Sequence, residues 1–367
     1  MTAKDATNIN PLTVLLVPLA ASGLVGLKLA HVISIDNVAV LVVAVVLLVA
    51  TIFSAVHHAE VIALKVGEPF GSLILAVAVT VIEVALIVTI MMATADGGGS
   101  EVARDTVFAA MMIVLTGIIG VCVLVGAIYH REQNFHAKGA TAALSVLTTL
   151  AVLALILPKF TVSVPGPYYA TSQLIAVGIM SLGLYLFFLF VQSVRHREYF
   201  LDAAVAADEG EHVRIPTIAI ATSLVMLVIS LTSVVLIAKS LSPKVESAIV
   251  SAGLPLSFVG VVIASVILLP EAIAAFRAAR QNRMQQSLNL ALGSVLAGIG
   301  LTIPTVALAS ILLDIPLGLG LNDEHTLLLV LALFITALTT LSGRTNILQG
   351  GVHLVIFAAF LIMSAVP

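Results

Sequence analysis

The sequence predicts an all-α polytopic membrane protein: about 11 transmembrane helices, arranged as two inverted five-helix repeats after an extra N-terminal helix. Three observations predict it. The 367 residues are 60% hydrophobic and only 10% charged, with a mean hydropathy of +1.21 and no Trp. Apolar runs of about 20 residues, the length that crosses about 30 Å of hydrocarbon, recur along the whole chain. Two glutamates, Glu83 and Glu271, each lie inside such a run and stand about half the chain length apart.

Hydropathy and its polar or Gly/Pro interruptions place the spans at about 11–30, 36–56, 69–94, 103–128, 139–158, 171–194, 215–238, 250–276, 285–312, 325–341 and 345–366. Met1 to Asn10 is polar and no small-residue cleavage pattern follows the first apolar stretch, so Pro11 to Ala30 is expected to be a retained span. The longest polar interruption, "RHREYFLDAAVAADEGEHVR" from Arg195 to Arg214, separates five spans after the first from five more. The expected division is therefore 1–35 for the N-terminal segment and first helix, 36–194 and 215–367 for the two repeats, and 195–214 for an acidic linker. Repeats with an odd number of helices enter the bilayer in opposite orientations, and each here places its glutamate in its second span.

With eleven spans, Lys4, Lys65, Arg131, Lys138, Arg195, Arg197, Arg214, Arg277, Arg280, Arg283 and Arg344 fall on one side, and Lys28, Arg104, Lys159, Lys239 and Lys244 on the other. Positive residues stay inside, so this asymmetry predicts a cytoplasmic N-terminus and a cytoplasmic linker. The net charge of −3 says little by comparison. The single cysteine, Cys122, lies in an apolar run, which leaves no disulfide framework or thiolate metal cluster.

A carboxylate at membrane depth costs roughly 2.5–3.5 kcal/mol on insertion scales, so Glu83 and Glu271 are expected to face a polar cavity that carries cations or protons. In "GEPFGSLILAVAVTVIE" (Gly67 to Glu83), Pro69 marks a helix start, Gly67 and Gly71 allow close backbone approach, and Thr80 lies on the helical face of Glu83. Pro270 immediately precedes Glu271; it has no N–H, so carbonyls near residue 266 lose a helical partner and place oxygens beside a carboxylate, an arrangement suited to a hard cation. The bland alternative is a proline kink whose glutamate pairs with Arg277. Gly293, Ser294, Gly298, Gly300, Thr302 and Pro304 form a small-residue stripe, read first as helix packing, with Ser294 and Thr302 as candidate ligands.

Other polar residues weigh less. His57, His58 and Glu60 cluster at the end of the second span, where a solvated interface competes with a route by which cations are drawn toward the site through His58 and Glu60. Asp202, Asp208, Glu209 and Glu211 lack EF-hand spacing and read as a solvated linker. His353, inside the last span, is read as a hydrogen-bonded core histidine ahead of a proton relay.

The segments "HHAEVIALKVGEPFGSLILAVAVTVIEVALI", "LPEAIAAFRAARQNRMQQSLNLALGSVLAGIGLTIP" and "SGRTNILQGGVHL" resemble the bacterial ChaA-type calcium/proton and sodium-potassium/proton antiporters of the cation/calcium exchanger superfamily. The resemblance covers nearly the whole chain. It implies two inverted five-helix repeats after an extra helix, a bacterial-type inner (plasma) membrane location, and cation and proton binding by Glu83 and Glu271. Gly293, Ser294 and Pro304 match the second-repeat motif. Where the wider calcium/proton exchangers carry Gly-Asn-Ala before each glutamate, this chain has Val79-Thr80-Val81-Ile82 and Leu268-Leu269-Pro270, and Ala297 replaces a typical Gln. Fewer amide oxygens then surround the ion, which keeps Na⁺ and K⁺ beside Ca²⁺ as cargo.

The expected function is secondary antiport: protons and a cation, Ca²⁺ first and Na⁺ or K⁺ as alternatives, compete for the same carboxylates under alternating access. A cation channel would use the same residues without proton coupling. An intramembrane hydrolase lacks the paired histidines a zinc site needs. The lipid bilayer, inorganic cations and protons are the expected partners; no cofactor and no nucleic acid is implied. A cysteine placed at Arg280 should react with impermeant thiol reagent only from the cytoplasmic side; labelling from outside would overturn the topology.

Overall fold

The computed structural model describes residues 11–34, 37–67, 70–93, 99–200 and 216–366. Helices α1 (Pro11–Leu29), α2 (Val38–Val66) and α3 (Phe70–Ala93) are followed by α4 (Gly99–Met112), a π-turn over Ile113–Ile118, and α5 (Ile119–His130). After the short strand β1 (Gln133–Asn134) come α6 (Ala137–Ala151), a second π-turn (Val152–Ile156) and α7 (Thr171–Phe190). The rest comprises α8 (Thr217–Ser251), α9 (Phe258–Ile267), α10 (Leu269–Arg280), α11 (Met284–Leu313), α12 (Asp323–Leu341), strand β2 (Arg344–Thr345) and α13 (Ile347–Ala365).

Among the described residues nine helical stretches are long and apolar enough to cross a membrane, and α9 with α10, bent by 57°, makes a tenth. The apolar stretch of α1, Val14–Leu29, is shorter. The exposed side chains include Leu16, Val46, Ile179, Phe187, Val228 and Leu331, as a lipid-facing surface requires. The chain is thus an all-α polytopic membrane protein.

Two boundaries differ from the hydropathy reading. Helix α2 runs on to Val66 instead of stopping near residue 56, which places His57, His58 and Glu60 inside a helix. Helix α8 continues to Ser251 through Lys239, Pro243 and Lys244. Hydropathy ends where polar side chains begin, whereas a helix ends where its backbone bonds do.

The chain divides into two compact units, Met1–Ile90 with Gly210–Ala248, and Met91–Glu209 with Ile249–Pro367. In the first, Ala21, Ala44, Ile237 and Leu241 form a small core. The same unit holds a polar node. Pro18 has no N–H to give the carbonyl of Val14 four residues earlier. That carbonyl instead accepts from Ser54 Oγ (2.9 Å) and His58 Nε2 (3.4 Å), both on α2, and His58 Nδ1 meets Ser223 Oγ of α8 at 3.3 Å. His58 is 3% exposed, so the expectation of a solvated interface fails there.

In the second unit small residues set helix spacing. A Cβ at Gly300 of α11 would lie 2.7 Å from Tyr185 of α7, and one at Gly260 of α9 would lie 2.8 Å from the Asp105 backbone carbon of α4. Gln133 pairs with Thr345 and donates to the Ala279 carbonyl (2.9 Å), while His130 Nε2 bonds the Arg280 carbonyl (2.9 Å). The loops carrying Arg131, Arg280 and Arg344 therefore gather at one end of this unit, as the charge pattern groups them. Elsewhere in it, Tyr168 bridges to Gly318 and Lys159 pairs with Asp323.

Losing the Ser54 hydroxyl should cost about 1 kcal/mol of stability, because the Val14 carbonyl would lose a donor. In a Pro18→Ala background the residue-18 amide can bond that carbonyl, so the same Ser54→Ala change should cost less; thermal unfolding of the four variants in detergent measures the difference.

Candidate functional site

Each unit holds one of the two glutamates. In the first, Glu83 is 5% exposed, near the middle of the apolar stretch Leu73–Met92. Thr80 stands one helical turn earlier and is 7% exposed. Thr89, farther along the same helix, bonds back to the Ala85 carbonyl at 2.6 Å, the ordinary way a helical threonine satisfies its hydroxyl. Thr80 Oγ1 is enclosed and makes no hydrogen bond among the described residues. A carboxylate and an uncommitted hydroxyl, one turn apart on one helix, are the chemistry of a cation ligand pair.

Two glycines seat α3. Gly67 closes α2 at φ +74°, a conformation L side chains rarely adopt, and its N–H bonds to the Ala63 carbonyl at 2.9 Å. A Cβ at Gly71 would lie 2.6 Å from that same carbonyl oxygen, so the first turn of α3 is pressed against the last turn of α2. Pro69 lies outside the described residues.

In the second unit Glu271 sits in the first turn of α10, directly after the break at Leu268, and is half-buried. Two local features set the electrostatics around this carboxylate. The N-terminal end of a helix carries partial positive charge, which favours the anion. Pro270 has no N–H for the Val266 carbonyl, four residues back, so an oxygen is released near the break. Arg277 is in the last turn of this 12-residue helix and Glu271 in the first.

The stripe on α11 divides into two kinds of position. Gly300 is a packing glycine against Tyr185, whereas a Cβ at Gly293 would meet nothing within 4 Å. Ser294 beside it is half-buried and Thr302 is fully buried. Of the remaining candidates, His58 is engaged at the Val14 node and Glu60 is half-buried on α2. His353 is fully buried with both ring nitrogens engaged, by the Leu115 carbonyl (2.7 Å) and Thr339 Oγ1 (3.0 Å), which fits the core-histidine reading. Asp202, Asp208, Glu209 and Glu211 lie outside the described residues.

One buried carboxylate escaped the sequence reading. Asp105 is 7% exposed and accepts from Arg104 Nε at 2.8 Å; Arg104 also reaches Glu101 at 3.0 Å. Asp105 lies within an expected span, so the cost argument applied to Glu83 and Glu271 would have found it. Its charge is matched by an adjacent guanidinium, a structural pair in the middle of α4. Arg104, Lys159, Thr161 and Asn322 line a cavity of about 460 Å³.

Comparison with known proteins gives these residues a context. The profile of the sodium/calcium exchanger protein family matches residues 37–194 and 222–366. A relative in Sinorhizobium fredii named as an ionic transporter, y4hA, is 47% identical over 97% of each chain. The sodium-potassium/proton antiporter ChaA of Escherichia coli is 32% identical over 88% of each. The solved structure of native YfkE superposes with a TM-score of 0.71 at 18% identity, covering 95% of this chain and 99% of that one.

Thr80→Val should raise the half-saturating cation concentration about tenfold, the equivalent of one lost oxygen contact, while Thr80→Ser stays close to wild type. Cation-dependence of transport in proteoliposomes distinguishes the two.

Proposed function

This chain belongs to the sodium/calcium exchanger protein family, a family of secondary cation transporters, and on that premise we propose that it is a cation/proton antiporter, extruding Ca²⁺ from the cell in exchange for protons by alternating access. The observation that carries the reading is Glu83: a carboxylate 5% exposed in mid-span, one turn from an uncommitted hydroxyl. An ion-carrying role explains why a chain would keep so costly a group there.

Glu83 and Glu271 carry cation and protons in turn. Ionised, each offers oxygens to a hard cation; protonated, each is neutral and a poor ligand, so loading protons discharges the cation. Competition of this kind, joined to alternating access, gives obligate exchange, and an inward proton gradient then drives cation out. Glu271 stands in the first turn of α10, at the end of the helix that carries partial positive charge. In the first unit Thr80 supplies a neutral oxygen and Gly67 and Gly71 shape the backbone; in the second, Ser294 and Thr302 supply neutral oxygens and Pro270 and Gly293 shape the backbone.

The two matched segments, 37–194 and 222–366, support the division into two inverted repeats joined by the linker 195–214, in a multi-pass protein of the plasma membrane with its N-terminus in the cytoplasm. A monovalent cargo is the second reading, and two observations favour it. One relative, at 32% identity, is named a sodium-potassium/proton antiporter, and no amide side chain stands at Val79–Ile82 or Leu268–Pro270, whereas Ca²⁺ takes about six to eight oxygens.

Purified protein in liposomes with a trapped pH dye, offered Ca²⁺, Na⁺ and K⁺ separately, tests both readings. One cation should drive proton flux, and Glu83→Gln or Glu271→Gln should abolish it. Full exchange in either variant would overturn the assignment, and cation flux without coupled protons would make the protein a channel.

A further inference from the structure

His353 does more than fill the core. In the π-turn between α4 and α5 the amide of Ile119 bonds to the carbonyl of Val114, five residues back. In a regular helix that amide would go to Leu115. The Leu115 carbonyl is thus the one the widened turn leaves over, and His353 Nδ1, from α13, lies 2.7 Å from it. A carbonyl can only accept, so Nδ1 carries the hydrogen and Nε2 is left to accept from Thr339 Oγ1, 3.0 Å away on α12. The hydroxyls of Thr336 and Thr340 bond back to carbonyls of their own helix, while that of Thr339 is turned to the imidazole.

The fit around this contact is close. A Cβ at Gly120, just past the π-turn, would lie 3.0 Å from His353 Cβ, and one at Gly350 would lie 2.6 Å from the Leu124 amide nitrogen. The π-turn itself packs against α10, which carries Glu271, and against α11, which carries Gly293 and Thr302. Closing the turn to a regular helix would remove one residue from it, turning α4 by about 100° and shifting it by about 1.5 Å relative to α5. Because Gly260 of α9 abuts the Asp105 backbone, α4 would take the broken helix with it.

We infer that His353 is a positioning residue for transport: its Nδ1–H caps the Leu115 carbonyl, holds the π-turn open, and so seats the helix that presents Glu271. The inference rests on the assignment of Glu271 to the cation site. Asparagine places its amide nitrogen the same number of bonds from Cα as Nδ1 and can keep the contact with Leu115; glutamine places it one bond farther, toward Thr339; leucine offers no donor.

Transport of the cation identified in proteoliposomes, with amide exchange over residues 113–120, tests the clamp. His353→Leu should lose roughly tenfold in transport, the usual cost of removing an outer-shell partner, and its π-turn amides should exchange faster. His353→Asn should keep most of both properties, and His353→Gln should fall between. Equal activity in the Asn and Gln variants, whether both wild-type or both lost, would overturn the proposal, and loss in both would point to the imidazole as a proton carrier. The Asn and Gln contrast decides the matter even if the leucine variant does not fold. Glu271→Gln, run alongside, separates the two readings: if it keeps exchange, the site assignment falls, while amide exchange in the 353 variants still reports on the clamp.

Discussion

The interior of a bilayer offers no hydrogen bonds, so each backbone carbonyl that a helix fails to satisfy must find a donor inside the protein. Three irregularities in this chain meet that constraint in one way. Pro18 leaves the Val14 carbonyl to Ser54 and His58. The π-turn at 113–118 leaves the Leu115 carbonyl to His353. In the π-turn at 152–156 the Leu157 amide bonds to Val152, and the carbonyl it passes over, Leu153, accepts from the Tyr169 hydroxyl at 2.6 Å. In each case a side chain from another part of the fold completes a backbone bond, so that the departure from regular helix also ties segments together. The histidines here serve as donors, and each in turn meets a hydroxyl, Ser223 or Thr339.

The glutamates pose the converse problem. Glu83 and Glu271 are acceptors placed where a charge is costly, one in mid-helix beside an uncommitted threonine and one at a helix start created by a proline. A cation or a proton answers that cost equally well, and a group that either can neutralise is suited to exchanging one for the other. Asp105, also buried, is paired with the guanidinium of Arg104.

Much of this was legible in the residues themselves. Apolar runs placed most of the spans, Gly71 marked a close backbone approach, and Pro270 marked a helix break where it occurs. The charge pattern grouped loops that meet at one end of the second unit. What escaped depends on partners distant in sequence. Nothing in "VLTGI" announces a π-turn, since its widened bonding persists only because α13 brings His353 to it. His58 reads as interfacial because polar residues follow it, yet Pro18, 40 residues earlier, supplies the carbonyl that draws it inward. Gly293 and Gly300 look alike in the string, and only Tyr185 makes the second a packing residue.

The most direct test of competition at the carboxylates needs no membrane. Solubilised protein in weak buffer, titrated with the transported cation, should release protons as the cation binds, and a Glu83→Gln/Glu271→Gln variant should release none. Cation binding by the wild-type protein with no proton release would contradict the account.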